Sequence, residues 1–209
     1  MFAMTEAPNL SLSAAAAGVM AMAHFAGQRQ WVPATSGNFS VRISATEAAV
    51  TATGADKARL SEADVIAAAI KGPKHSRASA EAPLHLMRYA TCPQIGAIAH
   101  IHSLPATLLS RRHEKAGVLR LEGWELLKAF SGVTTHETSL DLLIVPNDQD
   151  TDRLGVLVEA RMREGQNAPG YLIAGHGLYI WGATARDTIR HMDAFDFLLT
   201  AILSEENAR

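Results

Sequence analysis

The chain has little cysteine and no excess of charge of either sign. Cys92 is the single cysteine among 209 residues, so no internal disulfide can form, which fits a reducing, cytoplasmic setting. The 19 basic and 21 acidic residues give a net charge of -2, and no block of like charge stands out. This balance argues against nucleic acid or an anionic membrane surface as a partner.

A membrane-spanning run is also lacking, although residues 11–27 are apolar. Alanine dominates this stretch and is only weakly hydrophobic, and His24 interrupts it. The ten residues before it carry Glu6 and no lysine or arginine, so the basic region typical of a signal peptide is missing. We therefore expect a buried or half-buried helix over residues 11–30.

Composition and length favour one well-buried globular domain. Hydrophobic residues make up 48% of the chain and charged residues 19%, and we find no internal repeat and no low-complexity linker. Residues 1–209 are therefore expected to form a single domain.

Apolar periodicity and turn residues predict helices mixed with strands. Besides 11–30, helices are expected at 61–70, 79–90, 104–112, 123–130, 151–164 and 184–206. Strands are expected at 38–44, 48–54, 96–103, 141–146, 170–177 and 178–182. Ser61, Glu62 and Asp64 suit the first turn of a helix, and Ser79 suits an N-cap. Because the elements do not alternate strictly, the pattern favours a three-layer α/β/α domain with a mainly antiparallel central sheet.

The segment AIAHIHSLPA carries His100 and His102 two residues apart. Side chains at positions i and i+2 of a strand point to the same face, so the two imidazoles project together. Imidazole is a common ligand for divalent zinc. The spacing alone is also compatible with a histidine that faces a turn or packs against an aromatic ring.

A third histidine, His176, lies between Gly175 and Gly177 in AGHGLYIWG. Glycines let the backbone turn sharply or approach a ligand closely. Three histidines would leave coordination positions open, as in a catalytic rather than a structural zinc site, although they also suit iron, cobalt or manganese. Six further histidines lack such pairing and are expected to be surface or satisfied interior residues: His24, His75, His85, His113, His136 and His191.

Two turns, PATSGNFSVR and TATGADK, combine small and hydroxyl residues. Their backbone N–H groups, hydroxyls and amide can donate to a phosphate, and Lys57 supplies positive charge. RASAE adds Ser79 at the start of a predicted helix, where N–H groups favour anions. Such turns and such a serine also occur without any ligand.

Taken in order, PATSGNFSVR, TGADK, SAEAPLH, HIHS and GHGLYIWG resemble the class II aldolase/adducin superfamily. The resemblance runs from about Trp31 to the C-terminal helix. It implies a class II aldolase-like α/β/α fold, a homotetramer, and one Zn2+ per subunit held by His100, His102 and His176. It also implies a phosphate site for a phosphorylated ketose, onto which four residues fall by motif: Asn38, Thr53, Gly54 and Ser79.

Within the superfamily, GWELLKAFSG and THETSLDLLIVPNDQD resemble its dehydratases. Glu125 matches the acid/base glutamate of that branch, whereas Glu81 matches the base of the sugar-phosphate aldolases. The resemblance favours Glu125 for proton transfer, with a pKa raised by partial burial beside Trp124 and Leu126. Glu81 is expected to assist or to hold the empty metal site. Without the resemblance, we would expect Glu125 to be an exposed residue paired with Lys128. Glu81 would then be expected to be a carboxylate that interacts favourably with the dipole of its helix.

Two alternatives stay open. A zinc aldolase or 4-epimerase acting on fuculose or ribulose phosphate would share the metal and phosphate residues. A catalytically inactive, adducin-like interaction module would be expected to lack the metal ligands, and all three histidines are present in this chain.

Overall fold

A computed structural model describes residues 9–163 and 167–208. Its α-helices, in chain order, are α1 (Leu12–Gln28), α2 (Ala82–Thr91), α3 (Leu104–Arg112), α4 (Thr151–Met162) and α5 (Ala185–Ala208). Its strands are β1 (Asn38–Arg42), β2 (Glu47–Thr51), β3 (Val65–Ala69), β4 (Ala97–Ile101), β5 (Val118–Glu122), β6 (Ser139–Val145), β7 (Gly170–Ile173) and β8 (Gly177–Gly182). Among the described residues, no helix is long and apolar enough to cross a bilayer.

The strands form one sheet in the order β3-β2-β1-β4-β8-β7-β6-β5. Neighbouring strands are antiparallel except β6 and β7, which run parallel. The prediction of a mainly antiparallel sheet is confirmed. Because parallel strands run in the same direction, β6 and β7 end at the same edge of the sheet.

Helices cover both faces of the sheet, which confirms the three-layer prediction. One apolar core joins the sheet to α1, α3 and α5, and a second joins it to α2 and α4. Along β4, Ala97, Ala99 and Ile101 belong to the first core and Ile98 to the second, as the alternation of a strand requires. His100 therefore shares the face of Ile98, on the side of α2 and α4.

The expected N-terminal helix is α1, which begins after Ser11. The Ser11 side chain accepts the backbone N–H of Ala14 and caps the helix. Six side chains are buried along one face: Ala15, Ala16, Val19, Met22, Ala23 and Ala26. This stretch is thus a core helix. The residues before Asn9 lie outside the described part of the chain.

The helix predicted for residues 61–70 is wrong. Ser61 and Asp64 do form a reciprocal cap, but it closes only one 3-10 turn, Glu62–Asp64. The chain then continues as β3, which pairs with β2 along its whole length. Pairing with a neighbouring strand outweighs local helix preference here, and Val65 and Ile66 are β-branched residues that suit a strand.

Strand β5 is absent from the sequence prediction, although its pattern was readable. Leu119 and Leu121 are buried while Arg120 and Glu122 are exposed, which is the alternation of a half-buried strand.

Two helical segments also differ from the prediction. The N-cap of α2 is Glu81 rather than Ser79, and the helical piece near residue 125 is a 3-10 segment, Glu125–Ala129.

Candidate metal centre and active-site cleft

The sheet topology brings the three candidate metal ligands to one edge. His100 lies near the end of β4 and His102 directly after it. Strand β8 lies beside β4 with Leu178 opposite Ile101, so the β7–β8 turn that carries His176 lies at the same edge. Residues far apart in sequence therefore converge because three strand ends meet.

The β7–β8 turn depends on its glycines. Gly175 has a φ of +65°, a left-handed conformation that favours glycine. A Cβ on Gly177 would collide with the carbonyl oxygen of Ile101 and crowd the His100 ring. These two positions let the turn approach β4 closely enough for His176 to reach His100.

The Nε2 atoms of the three histidines converge. Those of His100 and His102 lie 2.9 Å apart, and those of His100 and His176 lie 3.3 Å apart. The three rings offer ligand atoms that all lie within 4.8 Å of one another. This donor set fits a divalent metal bound by three imidazoles, with coordination positions left for a substrate.

The imidazoles are held in the neutral form that binds metals. Burial lowers the pKa of His102 to about 4, and it lowers the pKa of His100 and His176 as well. Nδ1 of His100 lies 3.3 Å from the Leu178 carbonyl oxygen, and its ring stacks on Tyr179 with centroids 4.1 Å apart. A proton on Nδ1 donates to that carbonyl and leaves the Nε2 lone pair for a metal.

Glu81 is the carboxylate beside the triad. Its Oε1 lies 3.2 Å from Nε2 of His176, and its Oε2 lies 3.6 Å from Nε2 of His100. Burial raises the pKa of Glu81, and a hydrogen bond from Asn38 acts in the opposite direction. A partly desolvated carboxylate with a raised pKa is suited to proton transfer and to metal binding.

Asn38 lies beneath the cleft rather than on its wall. It faces His100 across the β1–β4 pairing and is almost fully buried. Its Nδ2 donates to Oε2 of Glu81 over 2.7 Å. The structure thus links Asn38 to the carboxylate, whereas the sequence suggested contact with a phosphate.

The cleft next to the triad has a volume of about 390 Å³ and is lined by His102, His176 and Glu81. The other three predicted phosphate residues, Thr53, Gly54 and Ser79, also line it. So do residues from both predicted anion turns and from a third loop: Thr35, Ser36, Gly37, Lys57, Ala80, Asn147, Asp148, Gln149 and Thr151.

Lys57 is buried between the two turns. Its ammonium group donates to the carbonyl oxygens of Thr35, over 3.2 Å, and Ala55, over 2.8 Å. Burial lowers the pKa of Lys57, while the nearby carboxylates, that of Glu81 among them, act in the opposite direction. Thr35 and Gly54 have φ values of +63° and +73°. Lys57 therefore connects the two turns, of which the one at Thr35 has a strained backbone, and puts positive charge behind the cleft.

Glu125 lies outside the cleft beside the histidines. Its side chain is 69% exposed and pairs with Lys128, and Nδ1 of His136 lies 3.4 Å from its Oε2. Lys128 lowers the pKa of Glu125, so the expectation that burial beside Trp124 and Leu126 raises it is wrong for the single chain.

The surface around Glu125 is a groove of about 1070 Å³. Trp124, Leu126 and the exposed Phe197 line it. Leu127 and Phe130 of this segment are part of the α1–α3–α5 core, which lies across the sheet from His100. Within one chain, Glu125 and the histidines are therefore separated by the sheet.

Comparison with known proteins identifies the family of this chain. The model of the Class II Aldolase and Adducin N-terminal domain matches residues 17–203. The chain belongs to the class II aldolase and adducin family. A methylthioribulose-1-phosphate dehydratase of Parvibaculum lavamentivorans is 67% identical over 97% of this chain and 99% of its own length. One from Sorangium cellulosum is 43% identical over 93% and 94%.

Solved structures share the fold of this class II aldolase and adducin chain. An L-fuculose-1-phosphate aldolase of Thermus thermophilus superposes with a TM-score of 0.76 at 21% identity, covering 94% of this chain and 97% of its own. A putative aldolase/epimerase/decarboxylase of Klebsiella pneumoniae superposes with a TM-score of 0.79 at 18% identity, covering 96% and 93%.

One part of the cleft is missing from the predicted site. The loop after β6, residues 146–150, contributes Asn147, Asp148 and Gln149 to the cleft wall. The segment THETSLDLLIVPNDQD resembles the dehydratases, but the sequence assigns no role to these three residues. Their place in the loop after a buried strand was the available signal, because binding residues are disproportionately found on loops positioned by a rigid scaffold.

Proposed function

We propose that this chain dehydrates 5-methylthioribulose 1-phosphate to 2,3-diketo-5-methylthiopentyl 1-phosphate and water, a step of methionine salvage. The observation that carries the proposal is the convergence of His100, His102, His176 and Glu81 beside one cleft. Similarity along almost the whole chain to proteins named methylthioribulose-1-phosphate dehydratase supports this reaction for the site. A single domain over residues 1–209 and a cytoplasmic location belong to the same proposal.

The metal in the proposal is one Zn2+ per chain, held by the Nε2 atoms of His100, His102 and His176. When bound, it would act as a Lewis acid that polarises the C2 carbonyl group and acidifies the proton on C3. The chain supports this with three neutral imidazoles and with open space in the adjoining cleft.

Glu81 is the residue of this chain that we propose to take up the C3 proton. It is the carboxylate next to the histidines, its pKa is raised by burial, and Asn38 fixes one of its oxygens. The remaining oxygen, Oε1, points towards His176. Holding the base in one orientation lets it meet a substrate carbon without rearrangement.

The phosphate end of the substrate is proposed to occupy the part of the cleft lined by Thr53, Gly54 and Ser79. Lys57 lies behind it and supplies positive charge. Fixing the phosphate on C1 would keep C2 to C4 at a constant distance from the histidines. In this proposal Asn38 donates a hydrogen bond to Glu81 and does not contact the phosphate.

Glu125 is proposed to protonate the departing C4 hydroxyl in a cleft of a neighbouring copy. In its own chain it is exposed and lies on the far side of the sheet from His100. The apolar groove around it, with Phe197 58% exposed, is a surface that association would cover. A homotetramer would bring Glu125 to another chain's cleft and bury it there. Once water has left, the resulting enol becomes the 2,3-diketone.

The substrate assay tests the function directly. Zinc-loaded protein given 5-methylthioribulose 1-phosphate is expected to release water and the diketone, seen by NMR or mass spectrometry. Dihydroxyacetone phosphate released from fuculose or ribulose phosphate, without any diketone, would favour the aldolase. Protein that binds no divalent ion at all would contradict the metal site and revive the inactive interaction module.

A further inference from the structure

The loop between β6 and α4, residues 146–150, lies beside the metal ligands because of the sheet topology. Strands β6 and β7 are the parallel pair, with Val145 opposite Ile173. The loop after β6 and the turn after β7 therefore leave the sheet side by side at the same edge. A hydrogen bond from the N–H of Ala174 to the carbonyl oxygen of Val145 joins the ends of the two strands.

Asn147 contacts the outer side of His176 in this arrangement. Its Oδ1 lies 3.4 Å from Nδ1 of His176, whereas Nε2 of the same ring points to His100 and Glu81. Because Nε2 must keep a lone pair to bind a metal, the ring proton has to be on Nδ1. Asn147 Oδ1 is the acceptor for that proton.

The Nδ1 atom of His100 faces a different kind of acceptor from that of His176. Its Nδ1 faces the backbone carbonyl of Leu178, 3.3 Å away, so its orientation is set by the sheet itself. His176 lies on a turn between glycines and has a side chain as its outer contact instead. A mutation can therefore remove the outer acceptor of His176 but not that of His100.

The loop that carries Asn147 is fixed by its own contacts. Arg153 donates to both oxygens of Asp148 over 2.6 Å, and Asp148 also accepts the N–H of Asp150. Thr151 donates to the carbonyl oxygen of Ala80, the residue before Glu81. The loop is thus tied to the segment that carries the carboxylate as well as to His176.

We propose that Asn147 is a positioning residue, which fixes the tautomer and ring orientation of His176 for metal binding. It acts through the histidine and does not itself touch the reacting atoms. The inference rests on the proposed metal site but not on the identity of the substrate. Acceptors behind metal-binding histidines typically contribute about 10- to 100-fold in metal affinity.

The test is metal affinity, measured by competition with a chromogenic chelator on the full chain. Asn147→Leu keeps the size of the side chain but removes the acceptor, and it is expected to weaken Zn2+ binding about 10- to 100-fold. Asn147→Asp retains an acceptor oxygen and is expected to keep affinity within a few-fold of the parent chain. The Co2+ absorption spectrum is expected to change with Asn147→Leu only.

Gln149→Leu is the matched control, because it changes an exposed amide on the same loop that, among the described residues, makes no hydrogen bond with a metal ligand. It is expected to leave Zn2+ affinity unchanged. Parental affinity and spectrum in Asn147→Leu would overturn the proposal, as would equal losses in Asn147→Asp. The metal-free variants should unfold at the parental temperature, which separates positioning from loss of fold. A parent chain without metal affinity would contradict the metal site itself.

Discussion

The metal cleft and the Glu125 groove lie on opposite sides of one sheet and are built differently. The cleft lies where strands of the sheet end, and the candidate ligand His100 beside it is fully buried. The groove is larger and is formed by a 3-10 segment against α5, with Glu125 69% exposed. One region brings three candidate metal ligands together within the chain. The other exposes Glu125 and an apolar surface.

Under the proposed function, these two regions would be the two halves of one active site, contributed by different chains. The candidate metal ligands lie at the end of β4 and in the short turn between β7 and β8, and the sheet holds both in place. Under that proposal, the acid has to lie on the surface of its own chain, where Lys128 lowers the pKa of Glu125. The following predictions separate the two regions experimentally, starting with the largest effect.

Removing a metal ligand is expected to abolish metal binding and activity together. His102→Ala leaves two imidazoles, which cannot hold the ion in the same open geometry. Metal content by mass spectrometry and turnover should both fall to background. His75→Ala, at an exposed histidine outside the cleft, is the control and should change neither. Full turnover in metal-depleted His102→Ala would contradict a metal-dependent reaction.

Replacing either glutamate is expected to reduce turnover without loss of zinc, by about 10²- to 10⁴-fold for a proton-transfer group. Glu81→Gln and Glu125→Gln should therefore look alike when each is assayed alone. Mixing with His102→Ala chains distinguishes them. Glu125→Gln supplies intact histidines and His102→Ala supplies an intact Glu125, so hybrid assemblies should recover activity.

In a random equal mixture, about a quarter of the sites would have both intact halves, given one neighbour per site. Glu81→Gln mixed with His102→Ala should recover nothing, because Glu81 and the histidines belong to the same chain. The measurement is turnover after joint refolding or prolonged exchange of the two variants. Recovery of turnover in the Glu81→Gln mixture would contradict the placement of Glu81 and the histidines in one site of one chain. No recovery in the Glu125→Gln mixture would contradict the proposal that Glu125 acts in a neighbouring chain.

A charge in the groove is expected to separate the subunits. Phe197→Glu would bury an unpaired carboxylate, a cost of roughly 3–5 kcal/mol for the interface. Light scattering should show smaller particles that still bind zinc but turn over slowly. Val156→Glu makes the same change at a residue 65% exposed on α4, outside the groove, and should leave the assembly intact. An unchanged assembly in Phe197→Glu would argue against this groove as the interface.

The smallest expected effect concerns the phosphate end of the cleft. Thr53→Val removes one hydroxyl and keeps the shape of the side chain. A hydrogen bond to a charged group contributes about 1.5–3 kcal/mol, so KM should rise about 10- to 100-fold at nearly constant kcat. Thr135→Val, at an exposed threonine outside the cleft, is the control. A rise in KM for both variants would show that Thr53 has no special role.

Much of the architecture was predictable because local patterns and tertiary structure agree. The isoleucine-rich run of β4 and the apolar spacing of α5 were sufficient to predict those elements. The segment 61–70 shows the limit, since its capping residues are real but the backbone pairs with β2. Local preference amounts to fractions of a kcal/mol per residue, and sheet pairing overrides it.

Within the site, prediction depended on whether residues share an element. His100 and His102 could be linked from spacing alone, because a strand fixes their common face. Asn38 was chosen as a phosphate contact from its turn sequence, but its register opposite His100 turns it to Glu81. No local pattern connects Asn147 with His176, since their contact arises from the one parallel strand pair.

The sequence by itself determined the chemical groups: three histidines, two candidate glutamates, hydroxyl-rich turns and the periodicity of most helices and strands. Tertiary structure decided which of those groups share a space. It placed Glu81 with the histidines and Glu125 across the sheet, and it added Asn147 behind His176. The physical reason is that side-chain type is local, whereas the order and direction of strands, which set distances of a few ångströms between remote residues, depend on packing of the whole sheet.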